Sequence, residues 1–433
     1  MNGLFDNPWW LLLFAGVGLL AILGGIVTLF FSLGRRPNRM WTDEVEPVQS
    51  DDFIGSLAAL LNVPLRRGGT AKLLNNGDEY FPVILDAIRA AEHSVHVMVY
   101  IWEAGKMSDE FISTMIEKRR SGVQVRVLLD SFGAMRAPDD DFEKLADAGG
   151  RVEKFRPLVP GKLLRFHLRN HRRAIVIDGR VAFTGGAAVA DKWMGSARTE
   201  EEWRDTMVRV DGSIAHNLQS AFCELWAFST GEVLTGEDVF PGDLEDVSDS
   251  DVKSCGIISS PSSEEHPLRL FFFLSFLAAR ERLWITTPYF VPDKHTRLVV
   301  ARRARAGVDV RILMPNEHTD AMPIRQASHS YYQELLNAGV RIYEYQPTMM
   351  HTKGVVIDGT WSVVGSANMD IRSKELNEEN VLGIRDTDLA GQMERAFLHD
   401  IENAKEIDRV QWRRRGIGKR IFERFCVLFA EQY

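Results

Sequence analysis

The sequence predicts an α/β protein: two tandem domains, each a mixed β-sheet flanked by helices, behind one N-terminal transmembrane helix. Three observations predict this. A motif recurs, first as His171-Arg172-Arg173-Ala174-Ile175-Val176-Ile177-Asp178-Gly179 and later as His351-Thr352-Lys353-Gly354-Val355-Val356-Ile357-Asp358-Gly359. Flanking segments recur with it: Ser121 to Leu129 echoes Ala306 to Met314, and Glu143 to Gly149 echoes Glu334 to Gly339. Finally, Pro8 to Leu33 carries no charged residue.

The elements follow in chain order. Residues 8–33 are long enough to cross a hydrocarbon core of about 30 Å at about 1.5 Å per residue. The basic cluster Arg35, Arg36 and Arg39 comes after this stretch, the reverse of a cleaved signal peptide, and Asp6 comes before it. The positive-inside bias therefore predicts a single-pass membrane protein with everything after residue 33 in the cytoplasm. Residues 34–69 read as a polar connector, 70–230 as the first half, and 231–267, rich in Gly, Pro, Ser and acidic residues, as a linker. Residues 268–405 form the second half. From 406 to 433 cations alternate with apolar residues, among them Trp412, Arg413, Arg414, Ile417, Lys419, Arg420, Ile421 and Phe422. Such a basic amphipathic tail suits an anionic bilayer surface, the alternative being a helix packed on the domain with its basic face in solvent.

The repeated motif carries the chemistry. Side chains two apart on a strand share a face, so His351 and Lys353 project together, as do His171 and Arg173. Asp-Gly between two β-prone runs predicts a type I′ hairpin turn, which makes Asp178 and Asp358 at least partly structural. The returning strand in the second copy ends in Gly365-Ser366-Ala367-Asn368, where the backbone can approach a ligand closely and Ser366 and Asn368 offer polar groups. The first copy has Gly185-Gly186-Ala187-Ala188 there, with Gly186 in the position of Ser366. Imidazole, cation, hydroxyl and amide together suit a phosphate ester.

These paired motifs resemble those of the phospholipase D superfamily, whose signature is His-x-Lys-x4-Asp followed by Gly-Ser-x-Asn. The second copy matches it fully. More of the chain is similar to the bacterial cardiolipin synthase branch: Thr287 to Asp293, Arg169-Asn170-His171-Arg172, Trp203-Arg204-Asp205-Thr206 and Leu376-Asn377-Glu378-Glu379-Asn380. The similarity runs from about residue 70 to the C-terminus. It implies two phospholipase D-like halves folded so that His171 and His351 flank one phosphodiester, with Arg173 and Lys353 on its non-bridging oxygens. It also implies His171 as nucleophile, His351 as acid and base, and Asp205 and Glu379 as acidic partners, each of the opposite half's histidine. Nothing in the sequence breaks the symmetry between the two imidazoles. In two places the first half departs from the family: Arg173 replaces lysine and Ala188 replaces asparagine. A guanidinium keeps the charge but is not a neutral substitute for a compact ammonium.

The resemblance implies a phosphatidyltransferase taking two phosphatidylglycerols to cardiolipin and glycerol through a phosphatidyl-histidine, with phospholipid and bilayer as partners. A hydrolytic phospholipase D would use the same residues. A nucleic-acid phosphodiesterase is disfavoured by the uncharged N-terminal stretch and the net charge of −8, and a membrane scaffold with a decayed first half is the non-enzymatic alternative. No cofactor and no metal is expected: Cys223, Cys255 and Cys426 are scattered, without CxxC spacing, and fit a reducing compartment. His93, His96 and His167 read as structural.

Overall fold

In both halves the Asp-Gly turns organise a sheet. Asp178 and Gly179 have φ of 53° and 66°, and Asp358 and Gly359 have 51° and 63°, so both central residues of each hairpin are left-handed. The aspartates then do a second job. Asp178 accepts the backbone N–H groups of Glu92, His93 and Ser94 at 2.9, 2.7 and 2.7 Å, which begin the strand Ser94–Val99. Asp358 accepts those of Arg280, Glu281 and Arg282, each at 2.8 Å, at the start of Arg282–Thr286.

The computed structural model describes residues 40–42, 44–157, 167–242, 251–261 and 266–428, with isolated positions 12, 15, 16, 18 and 19. Residues 1–42 form one unit and 43–433 another. The expected span 8–33 lies almost wholly outside the described residues, as do 243–250 and 262–265 of the expected linker and 429–433 of the tail. Among the described residues, no helix is long and apolar enough to cross a membrane.

Among the described residues, 43–433 hold two large sheets with a shared strand order, and a small one in which Phe290–Val291 pairs in parallel with Met369–Asp370. The first runs Thr70–Asn75, Thr206–Asp211, Val181–Gly185, Ala174–Ile177, Ser94–Val99, Gln124–Asp130, Arg151–Phe155. The second runs Lys253–Ser259, Glu379–Arg385, Trp361–Gly365, Gly354–Ile357, Arg282–Thr286, Asp309–Pro315, Arg341–Tyr345, with Leu65–Arg67 and Ala404–Glu406 added at its two edges. In both, the three strands of the helix-connected part pair in parallel, while the hairpin part is antiparallel. The duplication expected from the motifs thus extends to the whole strand order.

The inner faces of the two sheets meet in one core. Leu73, Met98, Leu128, Val176 and Val208 of the first join Trp284, Leu313, Val356 and Leu382 of the second. Two helices, Ala215–Thr230 and Thr387–Glu402, contribute Phe222, Trp226, Leu389 and Phe397 to this core. On the outer face of the first sheet, Asn76–Ala90 and Lys106–Arg120 bury Phe81, Ile84, Phe111 and Met115 against Val95 and Val127.

Two stretches read as connections are built into the fold. The polar connector contains a helix, Asp51–Leu61, capped by Ser50, whose Phe53, Ile54, Leu57 and Ala58 are buried and whose Phe53 ring meets Trp361 edge-on at 5.4 Å. It also contains the strand Leu65–Arg67. The linker contains the strand Lys253–Ser259, paired antiparallel with Glu379–Arg385. An alternating pattern does not mark that strand, because all but one of its residues are buried.

Candidate active site

The two histidine segments approach each other through backbone pairing between the halves. Each histidine and its cation lie in extended chain just before the strands Ala174–Ile177 and Gly354–Ile357, rather than inside them. The reason is a change of partner. The His171 N–H donates to the Glu378 carbonyl at 2.9 Å, and the His351 N–H donates to the Arg204 carbonyl at 2.8 Å. Asn170 forms a parallel bridge with Glu378 and Met350 one with Arg204. The segment leading into each histidine is thereby held on the segment leading into the other half's acid.

Side chains repeat this crossing. Nδ1 of His171 lies 3.0 and 3.1 Å from the two carboxylate oxygens of Glu379, and Nδ1 of His351 lies 2.8 Å from Asp205. Both acids are fully buried and both imidazoles nearly so. An ionised carboxylate only accepts, so each Nδ1 carries the proton and each Nε2 keeps its lone pair for the site. Lys353 Nζ sits 3.1 Å from the His351 Nε2, on the same face of the extended chain, and 3.1 Å from the His351 carbonyl.

The cation of the first half is arranged differently. Arg173 is 1 % exposed, and its Nη1 lies 3.5 Å from His171 Nε2 and donates to the His171 carbonyl at 3.4 Å, both longer than the matching contacts of Lys353. Its Nε and Nη2 are buried without a hydrogen-bond partner. Buried donors are almost always satisfied, so two free donors on one planar group mark a seat for an anion. Asn368 adds an amide whose Oδ1, an acceptor, is buried and unpartnered and so could receive a substrate hydroxyl rather than an anion. Asn380 fixes the arginine backbone: it accepts the Arg173 N–H at 2.7 Å and donates to the Arg173 carbonyl at 3.1 Å.

Ser366 and Gly186 act on the acids. Ser366 is fully buried; its hydroxyl donates to Glu379 in a short hydrogen bond and accepts the Asn380 N–H at 3.0 Å. A Cβ at Gly186 would stand 2.1 Å from Asp205 Oδ1, so glycine leaves room for the shorter acid. The remaining needs of Asp205 are met by Trp193 Nε1 at 2.9 Å and the Thr206 N–H at 2.8 Å.

Burial and charge set the protonation of the site. Burial pushes His171 down to about 4, with Arg173 and Lys353 adding to the effect against Glu379. Burial, Lys353 and Arg173 hold His351 well below its usual value. Burial and Arg173 lower Lys353 to about 7. Burial alone would raise both acids. Asp205 does rise, to about 6, whereas His171, Ser366 and Arg173 outweigh burial at Glu379 and keep it below the usual carboxylate range. The site thus holds neutral imidazoles beside a cationic wall.

Sequence reasoning missed several supporting residues. Trp193 and Trp203 wall His351 with ring centroids at 5.4 and 5.3 Å, and Tyr100 stands edge-on to His171 at 5.0 Å. Arg204, buried, grips Asp400 of the second half at 2.9 to 3.1 Å and donates to the Asp205 carbonyl at 2.9 Å. Trp203, Arg204 and Asn380 lie beside the acids in the segments that carried the resemblance, which was the available signal; Trp193 and Tyr100 had none. His96 is a core group stacked on Phe222, and His93 is on the surface beside Asp238.

A double half with crossed histidine–acid pairs is the architecture of a phospholipase D-like enzyme, and comparison with known proteins agrees. The family described as cardiolipin synthase, PLD-like domain, matches residues 84–226 and 275–401, and the chain belongs to it. Cardiolipin synthase 1 of Bacillus cereus is 34% identical over 369 residues, 83% of this chain and 72% of that protein. Cardiolipin synthase A of Pseudomonas syringae pv. syringae is 35% identical over 377 residues, 85% of this chain and 77% of its own. The phosphatidylserine synthase structure from Haemophilus influenzae shares the fold, with a TM-score of 0.67 at 16% identity over 87% of this chain and 97% of that one.

Proposed function

We infer that the chain is a phosphatidyltransferase of the cardiolipin synthase kind, which joins two phosphatidylglycerols into cardiolipin and releases glycerol. The crossed pairing of His171 with Glu379 and of His351 with Asp205 carries this reading. Transfer through a covalent intermediate needs a nucleophile and a separate proton donor, and each imidazole is held for one of those tasks.

In this reading, Nε2 of His171 attacks phosphorus while the bond to the headgroup glycerol oxygen breaks, and that oxygen takes a proton from His351. The hydroxyl of a second phosphatidylglycerol then gives its proton to His351 and displaces His171 from phosphorus. The lipid phosphate, seated against Arg173 and Lys353, offsets the cations that depress His351 and lets it become the acid. Glu379, which stays ionised, supports the nucleophile. The higher-lying Asp205 suits the partner that must hold a proton and release it. We further take residues 8–33 to cross the bacterial inner membrane, with residues 43–433 on its cytoplasmic side.

The test is to supply phosphatidylglycerol vesicles to the full-length enzyme and follow three products. Cardiolipin and glycerol in equal amounts are expected. Phosphatidic acid in their place would overturn transfer in favour of hydrolysis, and no product would overturn catalysis altogether.

A further inference from the structure

Among the described residues, the helix Ile417–Val427 packs on the fold by one face. Cys426 and Val427 join Val291, Ile324 and Ala327 in a small apolar cluster against the helix Met322–Ala338. Buried Glu423 takes Arg415 on both oxygens, at 3.1 and 2.9 Å. The Arg415 guanidinium lies 3.8 Å over the Trp412 ring, which in turn stacks on Tyr332 at 4.8 Å. This docking fixes what the other face presents.

That other face is apolar and in solvent. Ile417, Ile421 and Leu428 follow helical spacing along one stripe, with Phe422 beside them, and all four are 54 to 74% exposed. Lys419, Arg420 and Arg424 are exposed on the same helix, and Arg409, Arg413 and Arg414 on and just after the short helix Arg409–Arg413 that precedes it. A contiguous apolar patch rimmed by one sign of charge marks an interaction surface. The charge selects the partner: a second copy docked through the same stripe would set Arg420 and Arg424 against their equivalents, whereas an anionic leaflet accepts both the stripe and the cations.

The docking ground includes Tyr289, whose hydroxyl reaches toward the cations of the active site. Tyr289 packs against the Cys426 cluster, and its hydroxyl donates to Asp320 at 2.6 Å. On the inner side, Tyr289 interacts electrostatically with Arg173, and Asp320 with Lys353. We propose that Ile417–Val427 lies in the interfacial layer of an anionic leaflet and thereby holds the mouth of the active site at headgroup depth. The choice of a lipid partner for the site rests on the proposed function, but the surface itself does not.

The experiment uses the full chain with Cys223→Ser, spin-labelled at Ile421→Cys or, as an exposed reference, at Ser113→Cys, and reconstituted into vesicles. In vesicles containing phosphatidylglycerol, the label at 421 should favour oxygen over a water-soluble nickel chelate several-fold, and the label at 113 should show the reverse. Equal nickel access at both positions would overturn the proposal. So would shielding of 421 in lipid-free detergent that grows with protein concentration, which would indicate a second copy. Independently, Ile421→Asp with Phe422→Asp should slow turnover about tenfold on vesicles and leave turnover in mixed micelles unchanged; an equal loss in both would overturn it. The label reads membrane depth whatever the product is, so failure here is distinct from failure of the transferase reading.

Discussion

Asp205 receives Nδ1 of His351 at 2.8 Å from the opposite half of the chain, and with Trp193 also on its carboxylate it has no freedom to turn away. An acid so placed orients its imidazole and selects its tautomer. Asp205→Asn and Glu379→Gln should therefore each lower kcat on the order of 10²- to 10⁴-fold with a smaller change in KM, as in other triads. Steady-state kinetics on phosphatidylglycerol checks this. A change confined to KM would show that the acids bind substrate instead.

Lys353, at about 7, predicts an alkaline limb. As pH rises through 7 the buried ammonium loses its proton, and with it the charge that faces the phosphate, so kcat/KM should fall. His171, at about 4, stays neutral across the range above pH 5, so no acid limb from the nucleophile should appear there. Lys353→Arg should remove the alkaline limb, since a guanidinium keeps its charge, even where the maximal rate is lower. A limb that persists in that variant belongs to another group.

Asp358 accepts three backbone N–H groups, and Asp178 does the same in the first half. Asp358→Asn tolerates the left-handed turn but loses the charge and one acceptor oxygen. It should cost about 1–3 kcal/mol in urea unfolding, while activity per folded molecule is kept. Loss of activity without loss of stability would move this aspartate into the chemistry.

The two departures of the first half are physically linked. Arg173 and Ala188 line the same void of about 10 Å³, so an asparagine at 188 has no room beside the arginine. Ala188→Asn alone should destabilise by about 1–3 kcal/mol through overpacking, and Arg173→Lys alone should raise KM about tenfold by removing the forked grip. The double variant should be less impaired than the product of the singles, because the slimmer lysine makes space. A double-mutant cycle without coupling would mean that the substitutions are independent.

Much of this was legible in the sequence. The hairpin turns followed from Asp178-Gly179 and Asp358-Gly359 by local stereochemistry, and the shared face of histidine and cation followed from side-chain alternation. The crossing of acids and histidines came only through the resemblance, because no local rule relates His171 to Glu379. Ser366 looked like a ligand donor, yet its hydroxyl is committed to Glu379. The strand Lys253–Ser259 was hidden in a stretch rich in turn formers, and its partner, Glu379–Arg385, is far along the chain. The exposed stripe of Ile417–Val427 could be anticipated as amphipathic, but which of its faces docks could not.

The short strand Leu65–Arg67 closes the edge of the second sheet, pairing with Lys253–Ser259 although it precedes the whole of the first half. A chain emerging from the ribosome must therefore keep this early segment unpaired until the later sheet exists to receive it. Assembly is completed by an early segment, and a truncated product that stops within the second half would leave that segment, together with Phe53 and its neighbours, exposed to proteolysis.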